Sequence, residues 1–160
     1  TCALVNGIFA KRVRSQIINM PKVNFYLLKN GQSSEQYVFA CRLCEKILSQ
    51  KLKAYIHTDT QEQAQYLDDL LWSYRPESFL PHCLIDTETD EEVSIVIGYA
   101  DKFLEKSDVL INLSQDIPDF HASFSRIVEI IAADDESKAQ GRLHWKQYKD
   151  AGYELETHEA

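Results

Sequence analysis

VNFYLLKNGQSSEQYVFACRLCEKILSQKLKAYIHTDTQEQAQYLDDLLW, residues Val23 to Trp72, alternates two short β-rich runs with two longer amphipathic ones. Val23 to Leu28 is rich in aromatic and aliphatic residues and is bounded by Asn30-Gly31, which predicts a strand and then a turn. Ser33 and Gln36 have the spacing of a capping box. Beyond them Tyr37, Cys41, Cys44 and Leu48 recur on one helical face beside Ala40 and Ile47, predicting an amphipathic helix to about Lys51. Ala54 to His57 is a second short strand. Thr60 and Gln63 form another capping box, opening a helix whose inner stripe is Ala64, Leu67 and Leu71. Strands alternating with helices at this density predict a βαβ unit with parallel strands.

Outward from this unit the pattern loosens. Val93 to Tyr99 and Val109 to Leu113 are nearly continuous apolar runs, as expected of strands buried on both faces. Arg126 to Ile131 is short enough to be helix or strand, and its β-branched content favours strand. Asp134, Asp135 and Glu136 supply a cap and first-turn acids to a final helix, Asp135 to Ala151, with Gly152 at the C-terminal cap position. The expected fold is a single-domain α/β, Rossmann-like sheet, mostly parallel, with helices on both faces.

The chain has 160 residues, 44% of them apolar, enough for one domain with a substantial core. Its net charge is −8, and the charges before Met20 (Lys11, Arg12 and Arg14) are all basic, so the remainder is more acidic still. Tight direct binding to nucleic acid or anionic membranes is disfavoured, because phosphate contacts need a positive field. Four sparse cysteines do not make a disulfide framework, which fits a reducing cytoplasm. No apolar run is long enough to span a membrane. Residues 1–19 place their basic charges after their apolar piece, the inverse of a signal peptide. Met20 reads as the natural start and residues 1–19 as a non-native or disordered leader, a short native extension being the alternative; the domain is 20–160.

Signatures of catalysis are missing. There is no G-x-G-x-x-G, no phosphate loop, no H-E-x-x-H and no G-x-S-x-G, and no cofactor is expected. His57, His82, His121, His144 and His158 are scattered, which suits structural or solvated roles. Cys41 and Cys44 lie inside a helix on its apolar stripe, where neither thiolate stabilisation nor a paired zinc motif is available. They read as buried small hydrophobes. A thiol or metal enzyme using Cys41, Cys44 and Cys83 is the alternative. Asp68 and Asp69, adjacent on a helix, diverge and read as a solvated face, and Asp86 to Glu92 reads as a solvated acidic loop.

Two surfaces suit binding. On the last helix Lys138, Arg142, Trp145 and Lys149 share a narrow arc, with Lys146 on its shoulder. A Trp among cations suits a ligand that is acidic and partly apolar, such as a protein tail. Trp72 and the Pro-stiffened run Arg75 to His82, with Phe79, form either an exposed aromatic anchor or the edge of the core.

Asn24 to Leu28, Leu67-Asp68-x-x-Leu71-Trp72, Glu77 to His82, Asp108 to Leu113 and Trp145-Lys146-x-Tyr148-Lys149-x-Ala151-Gly152-Tyr153 together resemble, in order and spacing, the chi subunit of bacterial DNA polymerase III holoenzyme. The resemblance runs from about Met20 to the C-terminus. It implies a noncatalytic accessory protein of the clamp-loader assembly, located in the bacterial cytoplasm at the nucleoid-associated replisome. Such proteins pair with the psi subunit and hold the acidic C-terminal tail of single-stranded DNA-binding protein. By resemblance, Trp72, Pro76 and Phe79 match the psi-facing surface, and Lys138, Arg142, Trp145 and Lys146 match the tail pocket, with Lys149 at its margin. Trp145 stands where the family often has Tyr, which keeps the aromatic plane and loses the hydroxyl.

Overall fold

The computed structural model describes residues 21–29, 34–74, 80–87, 93–102 and 107–160. The leader, the Asn30-Gly31 turn, Ser33, Pro76, Phe79 and most of the acidic loop lie outside the described residues. The elements run β1 (Lys22–Leu27), α1 (Ser34–Ser49), β2 (Ala54–Thr58), α2 (Gln61–Ser73), β3 (His82–Leu84), β4 (Ile95–Tyr99), β5 (Val109–Asn112), a 3-10 turn (Asp119–Ser123), β6 (Arg126–Ile131), α3 (Asp135–Asp150) and β7 (Glu154–Glu159).

The strands form one sheet in the order β3-β4-β2-β5-β6-β1-β7. Every pairing is parallel. The α/β reading is thus correct. The expected β1-α1-β2 unit does cross between parallel strands, but β6 and β5 lie between β1 and β2. Arg126–Ile131 is a strand, at the sheet's interior.

Two cores flank the sheet. On one face Ala40, Cys41, Cys44 and Ile47 of α1 and Ala64, Leu67 and Leu71 of α2 pack on Ile56, Ile97, Ile111 and Ile130. On the other, Tyr148 of α3 and Phe124 beside the 3-10 turn pack on Val23, Phe25, Tyr55, Leu110 and Ile127. Strands covered on both sides have no polar face, which explains the unbroken burial of β2 and β5. Gly98 is fixed by the same packing: a Cβ there would stand 1.8 Å from the Tyr55 hydroxyl, which reaches across to donate to the Lys102 carbonyl at 2.6 Å.

The Thr60 capping box is present, with both reciprocal bonds to Gln63. Gln36 donates its side-chain amide to the Ile130 carbonyl at 2.7 Å, pinning α1 to the sheet, and the Ser33 half of its expected capping box lies outside the described residues. Helix α1 stops at Ser49, just short of the expected Lys51, because Lys51 turns left-handed with φ 60°. Two strands escaped the sequence reading. His82–Leu84, placed at the end of a loop, is three residues long, and Glu154–Glu159 has no apolar pattern to mark it. Each is an edge strand, with only one neighbour to satisfy it.

Candidate binding cleft

Helix α3 is fixed by a polar anchor in the second core. Glu129, 2% exposed, interrupts the apolar run of β6 and points at the helix. Its carboxylate accepts from His144 Nδ1, Asn112 Nδ2 and the Tyr148 hydroxyl, each at 2.8 Å. His144 Nε2 donates to the Gln115 carbonyl at 2.7 Å. Oxygen acceptors at both ring nitrogens favour the imidazolium form of His144. Burial lowers its pKa, but the hydrogen bond and charge of Glu129 outweigh this and raise it above the usual histidine value. Tyr148 is pushed far up by burial first and by Glu129 second.

This anchor sets which face of α3 is exposed. Gly141, His144 and Tyr148 are the buried stripe. The absence of a side chain at Gly141 lets the helix sit close to β6, since a Cβ would lie 2.8 Å from Ile131 Cδ1. Beside that stripe a cleft of about 440 Å³ opens between α3 and the ends of β1 and β7. Phe25, Leu27, Leu28 and Ile131 give it an apolar lining, closed on one side by Trp145 and flanked by Lys138, Arg142 and Thr157. Trp145 packs against Phe25 at 5.2 Å between ring centroids. Lys138 and Arg142 form no ion pair among the described residues. An apolar slot with two unneutralised cations suits an anionic ligand with a large apolar group.

Of the five residues expected on this face, Lys138, Arg142 and Trp145 come together at the cleft. Lys146 and Lys149 are exposed but do not line it. Trp145 is half-buried, because its arc borders the buried stripe. The β1 lining was missed in the sequence; its signal was the alternation that puts Phe25 and Leu27 on one face of the strand. Glu129 also had a signal, an acid inside an otherwise apolar run.

The second surface lies at the far edge of the sheet. Trp72 is 60% exposed and stands on the His82 ring at 4.6 Å, so it is not closing the core. His82 Nδ1 donates to the Leu80 carbonyl at 2.6 Å, and Nε2 lies 3.4 Å from Asp68 Oδ1. This corrects the reading of Asp68 as solvated: Asp68 turns in towards His82, whereas Asp69 is exposed and accepts from Gln65. Pro76 and Phe79 lie outside the described residues.

Among the described residues, no group of three His, Cys, Asp or Glu is placed to hold a metal. Cys41 and Cys44 are buried under α1, while Cys83 packs towards the other face of the sheet. Burial pushes the Cys41 thiol up to about 12 and that of Cys44 further. The sheet thus separates Cys83 from the Cys41 and Cys44 pair that the enzyme alternative joined to it. No described helix is long and apolar enough to cross a membrane.

The fold is shared with the crystal structure of T4 UvsW, which superposes with a TM-score of 0.60 over 89% of this chain and 42% of that one, at 11% identity. Three proteins named DNA polymerase III subunit chi are similar in sequence. That of Pseudomonas aeruginosa is 34% identical over 139 residues, covering 87% of this chain and 96% of its own. That of Haemophilus influenzae is 35% identical over 134 residues, 83% and 93% of the two chains. That of Escherichia coli is 30% identical over 145 residues, 86% and 97%. The family model described as DNA polymerase III chi subunit, HolC, matches residues 20–156, from before β1 into β7, and takes in every cleft residue but Thr157. The chain therefore belongs to the DNA polymerase III chi subunit family.

Proposed function

We propose that this protein is a noncatalytic accessory subunit of the clamp-loader assembly that links single-stranded DNA-binding protein to the replisome in the bacterial cytoplasm. The α3 cleft takes the acidic C-terminal tail of single-stranded DNA-binding protein, and the Trp72 surface, with Pro76 and Phe79, takes the psi subunit. The observation that carries this reading is the pairing of an apolar slot with the uncommitted charges of Lys138 and Arg142. A terminal aromatic side chain enters the slot between Phe25, Ile131 and Trp145. The adjoining carboxylate meets Arg142, whose planar fork can hold both oxygens, and Lys138 holds a neighbouring acid. Membership of the chi family supports the assignment of partners.

Titration calorimetry with a peptide of several acidic residues ending in Phe tests the cleft. Binding is expected to weaken as salt rises, and Arg142→Ala to weaken it about 10-fold or more, as for loss of a charge-assisted pair. Lys146→Ala and Lys149→Ala are expected to cost less than about 3-fold, as exposed charges outside the lining do. Unchanged binding in both Arg142→Ala and Trp145→Ala overturns the assignment. For the second surface, Trp72→Ala should deplete the psi subunit from material captured out of native extract, and full recovery removes that contact from the proposal.

A further inference from the structure

We propose that an acidic tail does not end at the α3 cleft but continues over the carboxyl end of β1 into a second groove, where Lys29 and Arg42 receive its upstream carboxylates. This rests on the reading of the α3 cleft as a tail site.

Leu28 lines both grooves, so they adjoin at the end of the strand. The second measures about 240 Å³ and runs along α1, with Val38 and Phe39 as its apolar part and Lys29, Arg42 and Glu35 as its charges. Glu35, Val38, Phe39 and Arg42 fall on one stripe of the helix. Arg42 carries its guanidinium 6.0 Å from the centre of the Phe39 ring. Neither Lys29 nor Arg42 is in an ion pair with a described residue.

The neighbouring routes out of the α3 cleft repel an acidic chain. Across Gly141 and Ile131 lies a polar cleft of about 630 Å³, with Asp59, Asp134 and Glu136 in its walls. Past Thr157 lies the edge strand β7, with Glu154 and with Glu156, which pairs with Lys22 at 2.7 Å. The path past Leu28, with Glu159 beside Leu27 on the neighbouring strand, leads to Lys29 and Arg42, which share the second groove with Glu35 and the last residue, Ala160. A tail with its terminal residue in the α3 cleft therefore extends towards α1.

Two peptides test this in the full chain: a short one with a single Asp-Asp pair before a C-terminal Phe, and a longer one extended at its N-terminus by a run of Asp. The longer peptide is expected to bind the wild type about 5- to 10-fold more tightly, with each exposed cation worth about 2- to 5-fold. Arg42→Gln and Lys29→Gln should each remove part of that gain and leave the short peptide unchanged. Glu35→Gln should tighten the longer peptide about 2-fold, a gain that loss of folding cannot imitate. Equal affinity for the two peptides, or a longer peptide indifferent to Arg42→Gln, overturns the second groove while leaving the tail cleft in place. Failure of the short peptide to bind overturns both.

Discussion

Glu129 ties α3 to the sheet, because its carboxylate gathers three donors from β5 and α3 inside the core. Removing one member of a buried, hydrogen-bonded charge pair leaves the other uncompensated, at a cost of about 3–5 kcal/mol. Glu129→Ala is expected to lose that much in urea unfolding at neutral pH, and Tyr148→Phe about 2 kcal/mol, for one hydrogen bond to a charged acceptor. Because His144 binds its proton more tightly folded than unfolded, its stabilisation is complete below the ordinary histidine pKa. It is lost as pH rises through the raised value. His57 behaves in the opposite sense. It is buried between Tyr55 and Phe120, its Nδ1 has no partner among the described residues, and burial lowers its pKa to about 4. Its contribution is complete above about pH 6.5 and falls as pH drops towards 4, by about 3 kcal/mol in all. Unfolding measured at pH 7 and pH 4.5 should therefore show His57→Leu losing about 2 kcal/mol less than the wild type over that interval. An equal loss in both proteins places the acid sensitivity elsewhere.

At the scale of the element, α1 and α3 end in the same motif with different residues at its left-handed position. After α3, Tyr153 N–H donates to the Tyr148 carbonyl at 3.1 Å and Gly152 N–H to that of Lys149 at 3.0 Å, with Gly152 at φ 88°. After α1, Leu52 N–H donates to the Ile47 carbonyl at 3.2 Å and Lys51 N–H to that of Leu48 at 2.9 Å, with Lys51 at φ 60°. A side chain in this conformation costs about 1 kcal/mol or more. Gly152→Ala should lower stability by about 1 kcal/mol, whereas Lys51→Gly should raise it, by less than 1 kcal/mol because glycine also loosens the unfolded chain. Denaturant midpoints check both, and opposite signs are the outcome to look for. The Gly152 cap was legible in the sequence. The one at Lys51 was not, since lysine carries no turn signal and only the packing of Leu52 and Ile47 forces the reversal. Helix α3 shows a related gap: its cationic arc was visible by spacing, but its buried stripe is Gly141, His144 and Tyr148, which no hydrophobic pattern reveals.

Across the whole molecule, the α3 cleft lies at the β1–β7 edge of the sheet and Trp72 at the β3 edge. Six interstrand spacings separate these edges, roughly 30 Å at about 4.8 Å each. Sites this far apart, on opposite margins of one rigid sheet, suit a protein that joins two partners without making them compete. In a binding assay with both ligands present, Arg142→Ala is expected to lose the acidic peptide and keep the Trp72 partner, Trp72→Ala the reverse, and the double variant to show the sum of the two effects. A Trp72→Ala variant that weakens the peptide by more than about 2-fold contradicts this independence. Alternation of apolar strands and amphipathic helices was enough to predict the α/β class and the main elements, because local periodicity records which face of an element is buried, and helical spacing alone put Lys138, Arg142 and Trp145 on one arc. It did not reveal that β1 lies between β6 and β7, that Glu129 anchors α3, or that Phe25 and Leu27 line the slot beside Arg142. The first and last of these join residues a hundred or more positions apart and the Glu129 anchor joins residues 15 to 19 apart, and only the close packing of the sheet against its helices brings them within reach of one another.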